Sequence, residues 1–346
     1  MNIKKQMGMV ISLLIVLGSG LQPVAASEFN FAVEPQKPSN QIDQKKGYFD
    51  LKVTPGQTQQ LTIMLKNATN KAVTIQPKIA ATTTSSSGVV EYGPSKKKND
   101  ETLLYDMKDL VTTEKKITIK ADSSYALKLD VKAPKKAFKG SVTGGITLEE
   151  DVDETARKTE GNGMAIDNRY AYVVGIQMRQ DIKAVAPKLH LHDVEAAQRN
   201  YRNVINATIQ NSEPTYVNQL KIDAKITKKG KSEVLYESKK EMMQMAPNSN
   251  FAYPIALGDG KTLEPGNYTL NMTAQSYDNK WKWSKDFTIT DDEATALNEK
   301  DVTVVKSYTT YYIIGGLIIL LLIGLIIWLI LRKKNIKETT GGIDNE

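Results

Sequence analysis

Cysteine and histidine, the side chains on which many catalytic and metal sites depend, are nearly absent from this sequence. The 346 residues include no cysteine and two histidines, which excludes thiol nucleophiles, disulfides and cysteine-bound metals. His190 and His192 are two residues apart and would share one face of a strand, which is half of a zinc site. No further histidine or cysteine exists to complete it, so a solvent-facing strand explains the pair better.

Other polar motifs fit catalysis no better. Ser86, Ser87 and Ser123 lack the glycine-flanked context of a nucleophile elbow. Gly144 and Gly145 are not followed by the Lys-Ser/Thr pair of a phosphate loop. Close strand packing or a bulge explains the two glycines better.

Acidic residues at 149–153 raise the question of a calcium site. Glu149, Asp151 and Asp153 alternate along the chain. Their spacing lacks the glycine and the terminal glutamate of a calcium loop, which favours a solvated hairpin or linker. Whether a calcium ion binds near Glu149–Asp153 stays open, and the sequence predicts no enzyme activity and no cofactor.

Two tryptophans suggest binding rather than catalysis. Trp281 and Trp283 alternate with Lys280 and Lys282, so both indoles would share one face of a strand. An exposed pair of rings beside lysines suits a sugar or a protein partner. Rings that point inward would instead fill the core of a sandwich. Both interpretations remain open at this point.

The net charge of +7 does not indicate nucleic-acid binding. Part of it belongs to the two termini, and the segment 27–312 carries 40 basic and 36 acidic side chains. Interspersed charges of this kind are typical of a large solvated surface.

The first 26 residues predict a secretory signal peptide. Lys4 and Lys5 precede the apolar core Val10–Leu17, and the small residues of Val24–Ala26 form a cleavage site. We therefore expect the mature chain to begin at Ser27 and to fold outside the cytoplasm.

A second apolar segment predicts a transmembrane helix. Ile313–Leu331 contains fifteen Ile or Leu in nineteen residues, and nineteen helical residues reach about 28 Å, close to the thickness of the hydrocarbon core. Arg332, Lys333 and Lys334 then form a stop-transfer signal. The expected topology is a single pass through the cell membrane, with the N-terminus outside at the cell wall and the C-terminus in the cytoplasm.

The segment between these signals reads as short strands separated by turns. Alternating apolar residues recur in runs of four to eleven in each half, with one helical turn expected around Leu103–Val111 and a long excursion at Thr82–Gly93. The predicted fold class is all-β: two tandem immunoglobulin-like β-sandwiches followed by one transmembrane α-helix. The expected order is signal peptide 1–26, first sandwich 27–153, linker 154–163, second sandwich 164–300, juxtamembrane stalk 301–312, transmembrane helix 313–331 and basic tail 332–346.

The two halves also look alike. Gln60–Ala80 aligns loosely with Val204–Ile226, and each has a strand that leads to an asparagine, a polar turn and a second strand. The asparagines are Asn67 and Asn211. We interpret the halves as related sandwiches.

A series of short motifs runs through both halves in a fixed order. In the first half they are Asn40-Gln41, Gly47–Leu51, Pro55–Gln57, Asn67, Gly88, Tyr92, Phe138–Gly140 and Gly144–Ile146. In the second half they are Asn168–Tyr172, Asn211, Met245–Phe251, Gly266–Tyr268, Trp283 and Phe287–Ile289. In this order they resemble the WxL-interacting cell-surface proteins of Gram-positive bacteria.

The resemblance implies a first module that binds peptidoglycan. It implies a second module that binds a host extracellular-matrix protein and a partner WxL-domain surface protein. It implies no catalytic residue, and we expect a non-enzymatic scaffold or adhesin in the membrane, with no nucleic acid as a partner. The alternative is a membrane-tethered chaperone that assists assembly of surface proteins.

Candidate binding residues follow as hypotheses. For peptidoglycan they are Asn40, Gln41, Tyr48 and Tyr92, because amides and aromatic faces suit glycan or stem-peptide contacts. The alternative is that Asn40, Gln41 and Tyr48 satisfy backbone groups at a strand edge. For the protein partner they are Tyr170, Tyr172, Trp281 and Trp283, since an exposed strand edge could accept a partner strand.

Overall fold

The computed structural model describes residues 30–151, 171–304 and 309–340. The expected signal peptide at 1–26 and the expected linker at 154–163 lie outside these residues. The described strands are β1 (Ala32–Gln36), β2 (Phe49–Lys52), β3 (Thr58–Asn67), β4 (Val73–Ala81), β5 (Thr83–Thr84), β6 (Val90–Glu91), β7 (Val111–Thr112), β8 (Ile117–Ile119), β9 (Ser123–Lys132), β10 (Val142–Glu150), β11 (Ala171–Arg179), β12 (Leu189–Arg199), β13 (Arg202–Asn211), β14 (Val217–Lys228), β15 (Val234–Met245), β16 (Ser249–Ala256), β17 (Gly266–Ser276) and β18 (Asn279–Ile289). The described helices are α1 (Met107–Leu110), α2 (Asp291–Asn298) and α3 (Thr309–Thr340).

The first sandwich is built from a four-stranded sheet, β1-β3-β9-β7, and a five-stranded sheet, β2-β11-β10-β4-β8. Side chains alternate in direction along a strand, so every second residue of β3 and β9 reaches the core. Leu61 pairs with Leu129 and Ile63 with Leu127, and all four side chains are buried. The alternating pattern of the sequence therefore gives the expected β-sandwich.

Strand β11 belongs to the first sandwich. It pairs antiparallel with β10 and parallel with β2, and Val174, Ile176 and Met178 lie in the first core. The boundary expected at 154–163 assigned this strand to the second sandwich, and the structure corrects that assignment. The residue pattern shows that a strand has one buried face, but it does not show which sheet the strand joins.

The second sandwich has a three-stranded sheet, β12-β13-β16, and a four-stranded sheet, β15-β14-β17-β18. Its core includes the buried aromatic rings of Phe251, Tyr253 and Tyr268. Helix α2 follows β18 directly, where Thr290 and Glu293 form a capping box that satisfies free backbone N–H groups at the helix start. The fold class is thus all-β, with two tandem sandwiches.

The two asparagines in the loosely aligned segments make matching contacts. The Asn67 side chain donates to the carbonyl of Lys71 at 2.7 Å, and that of Asn211 donates to the carbonyl of Thr215 at 2.7 Å. Each asparagine thus reaches a carbonyl four residues further along the chain, and each is buried. The shared turn supports the interpretation that the sandwiches are related.

Two stretches between strands of the first sandwich were expected to be a helical turn and a long excursion. The helical turn expected near Leu103–Val111 is confirmed as α1, and the Asp106 side chain caps its first turn by accepting from the N–H of Lys108. The stretch Thr82–Gly93, expected as a long excursion, contains the short β5–β6 hairpin. This hairpin leaves the first sandwich and contacts the second.

The hairpin is one of several contacts that dock the sandwiches. The hydroxyl of Thr84 lies 2.7 Å from that of Ser249 and accepts the N–H of Ala246 at 3.0 Å. The carbonyl of Gly88 accepts the N–H of Gln244 at 2.7 Å. Because these groups are largely buried, the contacts fix the two sandwiches against each other.

Helix α3 starts earlier and ends later than the expected span 313–331. Within it, Tyr312–Leu329 is long and apolar enough to cross a membrane, and none of that stretch is buried against the protein. The expected stalk at 301–312 is therefore shorter, because its last residues, from Thr309, are helical.

Candidate functional site

Three tyrosines meet on the outer face of the first sandwich. We call Tyr48, Tyr92 and Tyr216 the tyrosine cluster. Gly145 of β10 lies directly opposite Gly175 of β11. A Cβ added at Gly145 would lie 2.9 Å from the Cβ of Tyr92, and one at Gly175 would lie 3.5 Å from the Cβ of Tyr48 and from Cε1 of Tyr92. The glycine pair therefore makes room for the rings, as close packing around these glycines predicts.

The cluster spans both sandwiches. Tyr216 lies between β13 and β14, and its hydroxyl is 3.2 Å from that of Tyr92. Burial raises the pKa of Tyr216 well above its usual value, and the neighbouring Tyr92 adds to this shift. The phenol therefore stays neutral at physiological pH, which makes it a hydrogen-bonding group rather than a base.

A cation borders the cluster. The Nζ of Lys46 lies 5.2 Å from the ring centroid of Tyr48. Its hydrogen bond with Tyr48 raises the pKa of Lys46, against the opposing effect of burial. The cluster thus offers half-buried ring faces, hydroxyl groups and one charged group, which suits the binding of a polar ring such as a sugar.

Asn40 and Gln41 shape the loop that carries Tyr48. Gln41 donates to the carbonyls of Asp43 and Tyr48 at 3.0 and 2.9 Å and accepts the N–H of Asp50 at 3.0 Å. Asn40 donates to the carbonyl of Lys52 at 2.9 Å. Both amides are occupied by backbone groups, the alternative that the sequence left open, so they position Tyr48.

Of the residues considered for the protein partner, the three that the structure describes, Tyr172, Trp281 and Trp283, do not form one site. Trp281 and Trp283 pair with Ala274 and Met272 of β17 and pack half-buried against the second core. The inward-pointing alternative therefore describes these rings. Tyr172 lies in the first sandwich, where its ring meets that of Phe31 edge-on at 5.2 Å.

Tyr170 lies outside the described residues. The stop-transfer residues Arg332, Lys333 and Lys334 lie on α3, but their side chains are outside the described part of the chain. The structure thus tests neither expectation.

Three of the side chains considered as metal ligands form hydrogen bonds or ion pairs with other residues. His192 contacts the side chain of Gln210 at 2.9 Å. Glu149 pairs with Lys78, and Asp151 with Lys116, both at 2.7 Å. Across the described ranges, no group of three acidic or histidine side chains is arranged to hold a metal. Asp153 is outside those ranges.

A cleft that the sequence did not predict lies between the sandwiches. It encloses about 550 Å³, and we call it the junction cleft. Tyr105 and Phe138 form one wall, with ring centroids 6.1 Å apart, and Pro214 and Pro247 contribute from the second sandwich. No repeating pattern marks such a cleft in the sequence, because its walls come from loops that are distant along the chain.

Comparison with known families assigns both halves of the chain. A family model described as "WxL Interacting Protein, peptidoglycan binding domain" matches residues 31–150, and one described as "WxL Interacting Protein, host binding domain" matches residues 161–299. No curated protein matches the chain. The first matched range includes Tyr48 and Tyr92, and the second includes Tyr216.

Solved structures similar to the chain include bacterial fimbrial chaperones. The class 5 fimbriae chaperone CfaA is 11% identical, and the match covers 75% of this chain and 98% of that chain with a TM-score of 0.29. The CupB2 chaperone of Pseudomonas aeruginosa is 9% identical, with coverages of 66% and 92% and a TM-score of 0.27. The E. coli chaperone DraB is 14% identical, with coverages of 68% and 91% and a TM-score of 0.25.

Proposed function

The chain belongs to the WxL-interacting protein family, and from that premise we propose that it is a non-enzymatic surface scaffold with two binding modules. The first sandwich binds peptidoglycan. The second binds a protein, either a WxL-domain surface protein or a host matrix protein. Helix α3 holds both modules at the membrane.

The tyrosine cluster is the observation that carries the peptidoglycan assignment. Tyr48 and Tyr92 lie together over the pair Gly145–Gly175. Both tyrosines are in the range 31–150 matched by the peptidoglycan-binding family. The apolar face of a sugar ring packs against an aromatic face, and the hydroxyls and Lys46 can bond to its polar edge. These groups bind without reacting, in keeping with a module that holds the wall.

The test is co-sedimentation of the full chain, in detergent, with insoluble peptidoglycan. Tyr92→Ala is expected to weaken binding about fivefold, because it removes a ring face worth about 1 kcal/mol. Tyr125→Ala is the matched control: Tyr125 is also half-buried, but it lies on the opposite sheet and bonds to Glu114 at 2.6 Å. Equal binding by the two variants would show that the tyrosine cluster does not bind peptidoglycan.

Membrane anchoring rests on α3. Tyr312–Leu329 is apolar over eighteen residues, and Arg332–Lys334 follow it, so the rule that basic residues stay inside places the tail in the cytoplasm. Accessibility to an external protease checks this. Digestion of the sandwiches on intact cells is expected, and their complete protection would contradict the topology.

The match to the host-binding family supports the proposal that the second sandwich binds a protein. The linked arrangement makes weak sites sufficient, because a second site on one tether acts at an effective concentration of about millimolar. Capture of a purified WxL-domain protein by the full chain tests this module separately from wall binding.

A further inference from the structure

We propose that the junction cleft binds an extended Trp-x-Leu segment of the WxL-domain partner. This inference rests on the proposed function, which gives the partner class, and adds the site. Both family modules contribute to the cleft, so the site exists only when the two sandwiches are docked. At about 550 Å³ its volume is that of a ligand pocket.

The chemistry of the cleft fits this ligand. In an extended segment, residues two apart point to the same side and lie about 7 Å apart. A Trp-x-Leu segment therefore presents an indole and an isobutyl group to one surface. The walls provide the rings of Tyr105 and Phe138 and the apolar side chains of Leu103 and Pro214, which are favourable contacts for both groups.

One apolar side chain at the rim of the junction cleft is exposed to solvent. Leu104 is 80% exposed and borders the cleft. A leucine held in water beside an apolar cavity gains most when a ligand covers it, since burial of a leucine side chain is favourable. The position of Leu104 thus favours an apolar partner side chain over a sugar.

The cleft is held open before any ligand arrives. The N–H of Ser141 donates to the carbonyl of Pro214 at 2.8 Å, and Asn248 donates to the hydroxyl of Thr102 at 3.3 Å. At Gly140, where φ is +68°, an added Cβ would lie 2.2 Å from the carbonyl of Pro214. A preformed site loses less conformational entropy on binding.

The alternative route, addition of a partner strand to the second sandwich, is less favourable. Its outer strands carry features that protect sheet edges. Strand β12 has an irregular register between Leu191 and Val194, β16 contains Pro254, and β18 carries exposed lysines at Lys280 and Lys282. Contact through side chains in a cleft avoids these obstacles.

The experiment measures binding of a purified WxL-domain protein to the full chain in lipid nanodiscs. Leu104→Asp is expected to raise Kd about tenfold or more, because a charge then faces the apolar ligand. Val302→Asp is the matched control: Val302 is 69% exposed at the end of the second sandwich from which α3 departs. A synthetic peptide with Trp-Ser-Leu between glycines should compete, and its Ala-Ser-Ala counterpart should not.

The outcomes separate this inference from the proposed function. Unchanged binding by Leu104→Asp, with wild-type binding intact, would overturn the cleft assignment and leave the scaffold function standing. Failure of the wild-type chain to bind any WxL-domain protein would refute the partner assignment itself, and the cleft inference with it.

Discussion

Asn67 and Asn211 make equivalent hydrogen bonds in the two sandwiches. Each amide donates both to the carbonyl four residues further along the chain and to a carbonyl of a segment distant in sequence. A buried carbonyl left without a partner costs about 1–3 kcal/mol. A short polar side chain at this position therefore stabilises a turn that backbone hydrogen bonds alone would leave unsatisfied.

Replacement of Asn211 tests this role. Asn211→Ala is expected to lower the free energy of unfolding of the second sandwich by about 2 kcal/mol, because it removes the side-chain donor to the carbonyl of Thr215 and leaves the carbonyl of Ala246 with the hydroxyl of Ser249. Urea denaturation measures the change. Asn271→Ala, at an exposed position of β17, is the control and should change stability by less than about 0.5 kcal/mol. An effect of similar size in both variants would contradict the assignment.

A buried ion pair stabilises the first sandwich between β2 and β11. Asp50 is fully buried, and the Nη2 of Arg179 lies 2.7 Å from each of its carboxylate oxygens. Lys46 also contacts this carboxylate at 3.1 Å, but its side chain is partly exposed, so removal of Arg179 leaves the buried charge with weaker compensation. That loss costs far more than the loss of an exposed pair.

Arg179→Ala is therefore expected to destabilise the first sandwich by about 3 kcal/mol. Lys78→Ala, which breaks the exposed pair with Glu149, should cost less than about 1 kcal/mol. Thermal unfolding monitored by circular dichroism compares the two. A smaller loss for Arg179→Ala than for Lys78→Ala would show that the buried pair does not stabilise the fold.

At the scale of elements, the alternation of apolar residues predicts most of the strands, but it does not predict which sheet each strand joins. The alternation of Leu61, Ile63 and Leu65 lies in β3, and the alternation of Trp281 and Trp283 with lysines lies in β18. The same alternation cannot assign β11 to a sheet, because every sandwich strand has one buried face. Local pattern determines the element, whereas long-range pairing determines its neighbours.

The candidate site was predictable only in part, for the same reason. Tyr48 and Tyr92 could be proposed from their residue types, and the structure places them together. Tyr216 and the junction cleft depend on how two distant segments dock, which leaves no spacing rule in the sequence. The β5–β6 hairpin is a further example, since its Ser/Thr-rich residues resemble an ordinary loop.

The hairpin makes a testable contribution to docking. Thr84→Val keeps the shape of the side chain but removes the hydroxyl that accepts the N–H of Ala246 and pairs with Ser249. We expect faster hydrogen exchange at the amide of Ala246 and a free energy of unfolding that is lower by about 1–3 kcal/mol, because a buried N–H is left unpaired. Thr288→Val, at an exposed position on β18, is the control, and unchanged exchange at Ala246 would contradict the docking role.

At the scale of the whole molecule, Asp100 makes the docking depend on pH. Burial alone would raise the pKa of Asp100, but hydrogen bonds from Thr102, Asn250 and Gln210 outweigh it, so the pKa lies below its usual value of 3.8. Gln210 and Asn250 belong to the second sandwich. The carboxylate thus contributes stability above its unfolded pKa, and this stability is lost as pH falls through the lower folded pKa.

The sandwiches are therefore expected to separate more readily below about pH 4. Small-angle scattering of the full chain in nanodiscs between pH 6 and pH 3 would detect a more extended shape. Asp100→Asn should weaken docking at neutral pH and flatten this pH dependence. Identical scattering curves for the variant and the wild type at each pH would exclude Asp100 as a docking residue.

Two modules on one anchored chain predict a bridge between the wall and a second protein. The most direct measurement is a sedimentation assay that combines insoluble peptidoglycan, a purified WxL-domain protein and the full chain in detergent. We predict that the WxL-domain protein enters the pellet only when the full chain is present, and that Tyr92→Ala lowers the pelleted fraction of both proteins together. If the full chain stayed in solution, or if it pelleted without retaining the WxL-domain protein, the bridging role would be contradicted.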